Sequence, residues 1–174
     1  MTLAEEQQKK GSWLMPIILA VGVALLVRTF FFAPYVVEGA SMQPSLFDRD
    51  RILVNKTTTW LGEFERGDIV IIQDESNRHY VKRVIAMPGE TLEMQNGTLM
   101  IDGQSYTEPY LDEMLQYSET IEETVVPDGE FYVMGDNRGN SLDSRNQLGT
   151  IDEDDIVGKS VFVFFPFSNV QLTN

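Results

Sequence analysis

The chain has no cysteine and a single histidine, His79, among its 174 residues. Without cysteine there is no disulfide framework, no thiolate metal site and no thiol nucleophile. One imidazole excludes nearly every histidine-built metal cluster, because such sites need two or three nitrogens. No metal or other cofactor is therefore expected, although a Ser–His enzyme, which needs only one imidazole, stays open. Positive charge is scarce as well: 13 Lys and Arg stand against 27 Asp and Glu, a formal charge of −14. No basic stripe is present to displace counterions from phosphates, which excludes nucleic acid as a partner. The length suits one domain with a small appendage, enough to bury a core.

Charge is absent altogether from Trp13 to Val27, and after Arg28 and Thr29 the apolar run resumes from Phe30 to Ala33. As a helix from Trp13 to Ala33 this segment would span about 31 Å, the thickness of a bilayer's hydrocarbon core. Arg28 lies near one end, where its side chain can snorkel to the interface. A cleaved signal peptide is the competing reading, but no pair of small residues marks a cleavage site: Phe31 stands two before Ala33, and Glu38 two before Ala40. No polar positions recur at the helical period, which speaks against a buried helix of a soluble protein. Lys9 and Lys10 keep the short amino-terminal end in the cytoplasm. The expected organisation is a cytoplasmic tail over 1–12, a transmembrane helix over 13–33 and an extracytoplasmic domain over 34–174. Two acids and three bases precede Pro34, so the exported part carries 25 acids, 10 bases and a charge of −15. Anionic headgroups repel such a surface. Contact with membrane lipid must then be apolar, and Phe30 to Phe32, Tyr35 and the Phe162 to Phe167 region are candidates, with a core strand as the other reading of the last.

Beyond the anchor the pattern is one of short strands. Ile69 to Ile72, Tyr80 to Ile85, Phe131 to Met134 and Val161 to Phe165 are short apolar runs beside turn signals. Asn96-Gly97 and Asp102-Gly103 predict two tight hairpin turns in series. The fold expected is mainly β, an antiparallel sheet with residues 91–127 as a small inserted excursion. From Asp102 to Glu130 there are nine acids and no base, which predicts a partly exposed segment. One stretch invites a helix: Thr150 and Glu153 have capping-box spacing, and Gly158 can end a helix over Thr150 to Val157.

Three segments are rich enough in polar groups to carry chemistry. Ser41 precedes Met42-Gln43-Pro44-Ser45-Leu46 in an extended or turning segment, just outside the anchor. It lacks the second glycine of a nucleophile elbow, and no serine is followed three residues later by lysine. Lys82 lies inside the apolar run His79 to Ile85, and strand alternation puts it on one face with Tyr80 and Val84 while His79 takes the other. A base there needs its pKa lowered by about 3 units, which burial can supply; an edge strand also accommodates a lysine. Gly135 to Arg145 is dense in donors, acceptors and glycine, and Asp143 and Arg145 can pair to stiffen it. Each segment taken alone also reads as an ordinary polar loop or strand edge.

Taken in order, Ser41-Met-Gln-Pro-Ser-Leu46, Arg66-Gly-Asp-Ile-Val70, Tyr80-Val-Lys-Arg-Val-Ile85 with Pro88-Gly89, and Gly135-Asp-Asn-Arg-Gly-Asn-Ser-Leu-Asp-Ser-Arg145 resemble the sequence boxes of bacterial type I signal peptidases. The resemblance runs from the anchor to near the carboxyl terminus and is greatest to the Gram-positive branch. It implies a membrane-anchored serine endopeptidase that removes signal peptides from exported preproteins after small-x-small sites. It implies Ser41 as nucleophile, Lys82 as general base, Ser141 hydrogen-bonded to the lysine, and Asp143 with Arg145 as a supporting ion pair. The Ser41 N–H would serve the oxyanion, and Gly39 stands where some relatives carry a hydroxyl. An extended substrate would pair with the segments before Ser41 and Lys82, which brings in Val37, Tyr80 and Val81. Partners would be preproteins emerging from the secretion machinery, and membrane lipid. Ala86 and Glu90, where the family commonly has Gly and Asp, are expected only to adjust turn geometry. The alternatives are a Ser–Lys peptidase maturing one dedicated substrate, a self-cleaving repressor, disfavoured by the anchor and the acidity, or a membrane-tethered binding module without catalysis.

Overall fold

Branched apolar residues at alternate positions give strands wherever a turn residue punctuates them, and the computed structural model, which describes residues 13–111 and 119–173, is built from such strands. One antiparallel sheet contains β1 (Phe32–Val36), β2 (Arg51–Asn55), β3 (Ile69–Gln73), β4 (His79–Ala86), β9 (Glu130–Met134), β10 (Ile151–Asp152), β11 (Ile156–Phe165) and β12 (Gln171–Leu172). Its order is β1-β2-β11-β3-β4-β9-β10, with β12 added to β11. A second sheet, formed by β5 (Thr91–Gln95), β6 (Thr98–Ile101), β7 (Gln104–Tyr106) and β8 (Ile121–Val125), is the excursion, in the order β7-β6-β5-β8. Both expected hairpin turns are present: Asn96, Gly97, Asp102 and Gly103 all have positive φ, as a twisted two-residue turn demands.

The sheets enclose three apolar clusters. Val37, Met42, Leu46, Ile52, Ile69 and Ile71 lie under the Ser41 turn; Phe64, Val70, Ile72, Val84, Phe131 and Ile151 form the second. Leu92, Met94, Leu99 and Ile101 of the excursion pack on Ile85, Tyr132 and Met134. The excursion is thereby fastened to β4 and β9, the strands that carry the polar segments.

Helix α1 (Leu14–Phe30) buries none of its residues. Among the described residues no helix is long and apolar enough to cross a membrane. The helix expected to reach Ala33 stops at Phe30, and Phe32 and Ala33 pair instead with Asn55 and Val54. Pro34 explains the change, since it cannot extend a helix but fits an edge strand. Residues 1–12 lie outside the described residues.

The helix expected over Thr150 to Val157 is absent. Ile151–Asp152 form β10, Glu153–Asp155 a single 3₁₀ turn, and β11 begins at Ile156. Ile151 and Ile156 both reach the same core, whereas residues five apart on a helix would diverge by about 140°. The cap belongs to Asp152, whose side chain accepts from the Asp154 N–H at 2.9 Å. Conversely, Thr57–Leu61 form a short helix, α2, that no sequence signal announces; Gly62 closes it in the left-handed conformation, φ 63°. Its Trp60 and Leu61 are exposed, and the Trp60 ring meets Phe31 edge-on at 6.2 Å.

Candidate active site

The turn after β1 carries Ser41. Met42 and Leu46 are fully buried and pin it to the core, and the Leu46 N–H donates to the Met42 carbonyl at 2.9 Å. Lys82 comes from the middle of β4, opposite Val70 of β3, and is only 3% exposed. Its Nζ lies 2.9 Å from Ser41 Oγ and donates to the Val81 carbonyl at 3.0 Å. Burial pulls the Lys82 pKa down to about 8; the carboxylates of Asp143 and Asp136 work against this, and Arg145 adds to it. A primary amine that is neutral near pH 8 and touches a serine hydroxyl is equipped to take its proton.

The loop after β9 lies directly on this pair. Gly135 has no room for a side chain: a Cβ there would stand 2.2 Å from Ser141 Oγ and 2.5 Å from the Ser41 carbonyl oxygen. Asn137 donates its N–H to the Ser41 carbonyl at 2.9 Å and its Nδ2 to the Ala40 carbonyl at 3.0 Å. Buried Asp143 accepts from Arg145 Nε and Nη2 at 2.9 and 2.8 Å and from the Gly135 N–H at 2.9 Å. Burial pushes its carboxyl up, but the Arg145 guanidinium and the Gly135 N–H outweigh burial and hold it below the usual carboxylate range. Ser141 Oγ is buried and has no hydrogen-bond partner among the described residues. The expected bond from Ser141 to the lysine is not made here: Nζ contacts Ser41 Oγ and the Val81 carbonyl.

The cleft beside the pair is bordered by Tyr35 to Glu38 on one side and by His79 to Lys82 on the other. Val37, Tyr80 and Val81 all line it. His79 borders it too, its ring tilted by 56° against that of Tyr35 with centroids 5.4 Å apart, so strand alternation does not remove it from the cleft. The hydrogen bond to Ser41 nevertheless belongs to Lys82. Gly39, φ +89°, spends its N–H on Asp48 Oδ1 at 2.9 Å, which leaves the Ser41 N–H as the nearer candidate for an oxyanion donor.

Three residues of the site escape a reading of the sequence. Arg83 and Asp136 form a fully buried bidentate pair, Nε to Oδ1 at 2.9 Å and Nη2 to Oδ2 at 2.7 Å, which ties β4 to the loop next to Lys82. Asn137 is the third. The available signal was Arg83 itself, since an arginine inside an apolar strand needs a buried carboxylate. Glu90 also does more than shape a turn: it accepts from Arg66 Nη2 at 2.6 Å and from the Met87 N–H at 2.7 Å.

Comparison with known proteins places this geometry in context. The family model described as signal peptidase, peptidase S26, matches residues 10–165. The chain is 48% identical to a signal peptidase I of Bacillus licheniformis, with 100% of each chain covered. It is 51% identical to signal peptidase I T of Bacillus subtilis strain 168, over 92% of this chain and 88% of that protein. A crystal structure of a signal peptidase I from Enterococcus faecalis V583 is 30% identical, with a TM-score of 0.49, covering 56% of this chain and 96% of that one.

Proposed function

The chain belongs to the signal peptidase I family, peptidase S26, a serine endopeptidase that removes signal peptides, and from that membership we propose that Ser41 and Lys82 are its catalytic dyad. The observation that carries the reading is the 2.9 Å contact between a serine hydroxyl and a buried amine. Neutral Lys82 takes the hydroxyl proton, Ser41 Oγ attacks the scissile carbonyl, and Lys82 returns the proton to the leaving amine. The acyl ester is then hydrolysed by a water that Lys82 deprotonates. Asp143 with Arg145, and Asn137, act by keeping the loop and the nucleophile turn in register.

Two strand edges support an extended substrate. β1 is the last strand of its sheet, and β4 meets β9 only from Arg83 onward, which leaves His79 to Lys82 free on that side. A preprotein segment lying in the cleft can pair its backbone with both edges, past Val37, Tyr80 and Val81, and the family resemblance implies cleavage after small-x-small sites. We also propose that the chain is anchored through α1, amino terminus inside, with its extracytoplasmic face resting on lipid. Every described residue of that helix is exposed, and no charge stands between Trp13 and Val27, which suits a segment in contact with lipid. Exposed Phe31, Trp60, Leu61, Phe165 and Phe167 extend an apolar surface beyond it.

Cleavage of a reporter preprotein by the full chain in detergent micelles tests the dyad. The wild type should cut after a small residue, and Ser41→Ala and Lys82→Met should lose about 10³-fold or more in kcat while keeping the β-sheet signal of the fold. Processing by Lys82→Met at the wild-type rate would overturn it.

A further inference from the structure

The arginines that frame the catalytic loop all make a second set of contacts, and each of them reaches the excursion, Arg83 while also donating Nη1 to the Gly67 carbonyl at 2.6 Å and Nη2 to Ser45 Oγ at 3.2 Å. Arg145 spends Nε and Nη2 on Asp143 and turns Nη1 to Glu119. Arg138 donates Nε to the Gly135 carbonyl at 3.0 Å and its two remaining nitrogens to Glu108, with both side chains buried. Arg83, already paired with Asp136, lies with its Cζ 3.9 Å from the centroid of the Tyr110 ring. The Tyr110 hydroxyl in turn donates to Glu108 at 2.7 Å. The acids of this segment are thus not merely a solvated surface. Two of them neutralise guanidinium groups that would otherwise stand buried with part of their donor fork unused, an expensive arrangement.

We propose that the excursion is a clamp on the catalytic loop, with Glu119 and Glu108 as positioning residues that hold Arg145 and Arg138 and, through them, the Gly135–Asp143 contact beneath Ser41 and Lys82. Its apolar sheet anchors the clamp on β4 and β9, and its two glutamates set the loop. The inference rests on Ser41 and Lys82 being the reacting pair. Neither glutamate touches them, so loosening the clamp lowers kcat by misplacing the loop and leaves the cleft walls, and hence KM, largely as they were.

Glu119 carries the test, because its side chain is 33% exposed while Glu108 is 8% exposed and its loss endangers folding. Full-length wild type, Glu119→Gln, Glu119→Asp, Arg145→Lys and the Arg145→Lys/Glu119→Gln double variant are assayed in detergent micelles. The readouts are kcat and KM on a reporter preprotein, and amide hydrogen exchange at Gly135 and Asn137. Glu119→Gln should lower kcat about tenfold, the worth of one charge-assisted hydrogen bond, with KM changed less than about twofold. Both amides should exchange about tenfold faster, Glu119→Asp should recover part of each effect, and the double variant should be no worse than Arg145→Lys. Wild-type kcat and wild-type exchange in Glu119→Gln would overturn the clamp. Ser41→Ala run alongside separates the two readings: if it cleaves like wild type the dyad is wrong, while the exchange data still decide whether Glu119 holds the loop.

Discussion

At the scale of single residues, the proposed role of Lys82 as the base makes it the group that sets the pH behaviour of activity, and its burial makes it one that sets the pH behaviour of stability. With a pKa lowered from 10.5 to about 8 by burial, about a tenth of the amine is neutral at pH 7 and about half at pH 8. The value of kcat/KM should therefore rise with unit slope up to a midpoint near pH 8 and level off above it. A flat profile between pH 6 and 9 would show that another group is the base. The sign for stability follows from the same shift. In the unfolded chain the lysine keeps its proton to about 10.5, so between 8 and 10.5 the unfolded state binds more protons and stability rises with pH, by about 3 kcal/mol in total. Below pH 8 the folded chain carries the full cost of a buried ammonium. Lys82→Met should lose that rise, which denaturant midpoints at pH 7 and 10 will measure. Gly135 is constrained on different grounds: Gly135→Ala drives a methyl to 2.2 Å from Ser141 Oγ and 2.5 Å from the Ser41 carbonyl. The expected cost is about 1–3 kcal/mol of stability, with a loss of activity larger than that cost explains, because the loop must move off Ser41. Thermal unfolding beside turnover measures both, and an active Gly135→Ala would refute the fit.

At the scale of elements, the strands at Ile69, Tyr80, Phe131 and Val161 and the two hairpin turns were legible, since apolar runs mark the first and Asn96-Gly97 and Asp102-Gly103 impose positive φ locally, whereas β1, β2 and β8 were not. Lys82, Asp143 and Arg145 stood out as polar groups in an apolar strand and a compact loop, whereas Ser41 alone read as an ordinary loop residue and took its role from the family resemblance. What the sequence hid depends on tertiary contact. Ile151 and Ile156 share one core only if the chain between them is extended, which overrides the capping signal at Thr150. The Asp143–Arg145 pair is local, but Arg83, Arg138 and Arg145 also reach partners 53, 30 and 26 residues away, at Asp136, Glu108 and Glu119, beyond the reach of any local pattern. Helix α2 is too short to show a period, yet it presents Trp60 and Leu61 beside Phe31 at the foot of α1. If that cluster rests in the lipid interface, Trp60→Ser with Leu61→Ser should weaken binding of the full chain to neutral phosphatidylcholine vesicles and shrink the blue-shift of the tryptophan emission to the part that Trp13 supplies. Unchanged partitioning by the double variant would leave α1 as the sole contact.

The whole molecule carries −14, and the domain after the helix −15, so its folded state stores self-repulsion that an unfolded, expanded chain relieves. Its ion pairs act in the opposite direction, but they differ in their response to salt. Arg83–Asp136 and Arg138–Glu108 are buried, and Arg145–Asp143 nearly so, and counterions screen such pairs poorly. Exposed pairs such as Arg49–Asp48 contribute little at any ionic strength. Added salt should consequently remove the repulsion and leave the loop framework intact. The thermal midpoint of the protein in nonionic micelles should climb as sodium chloride is raised from about 10 mM to 500 mM, most of the gain arriving once the Debye length falls below about 10 Å. Choline chloride should act like sodium chloride at equal ionic strength, because screening and not a bound cation is responsible. A midpoint that falls with salt would mean that exposed ion pairs, rather than the buried arginine frame, hold the catalytic domain together.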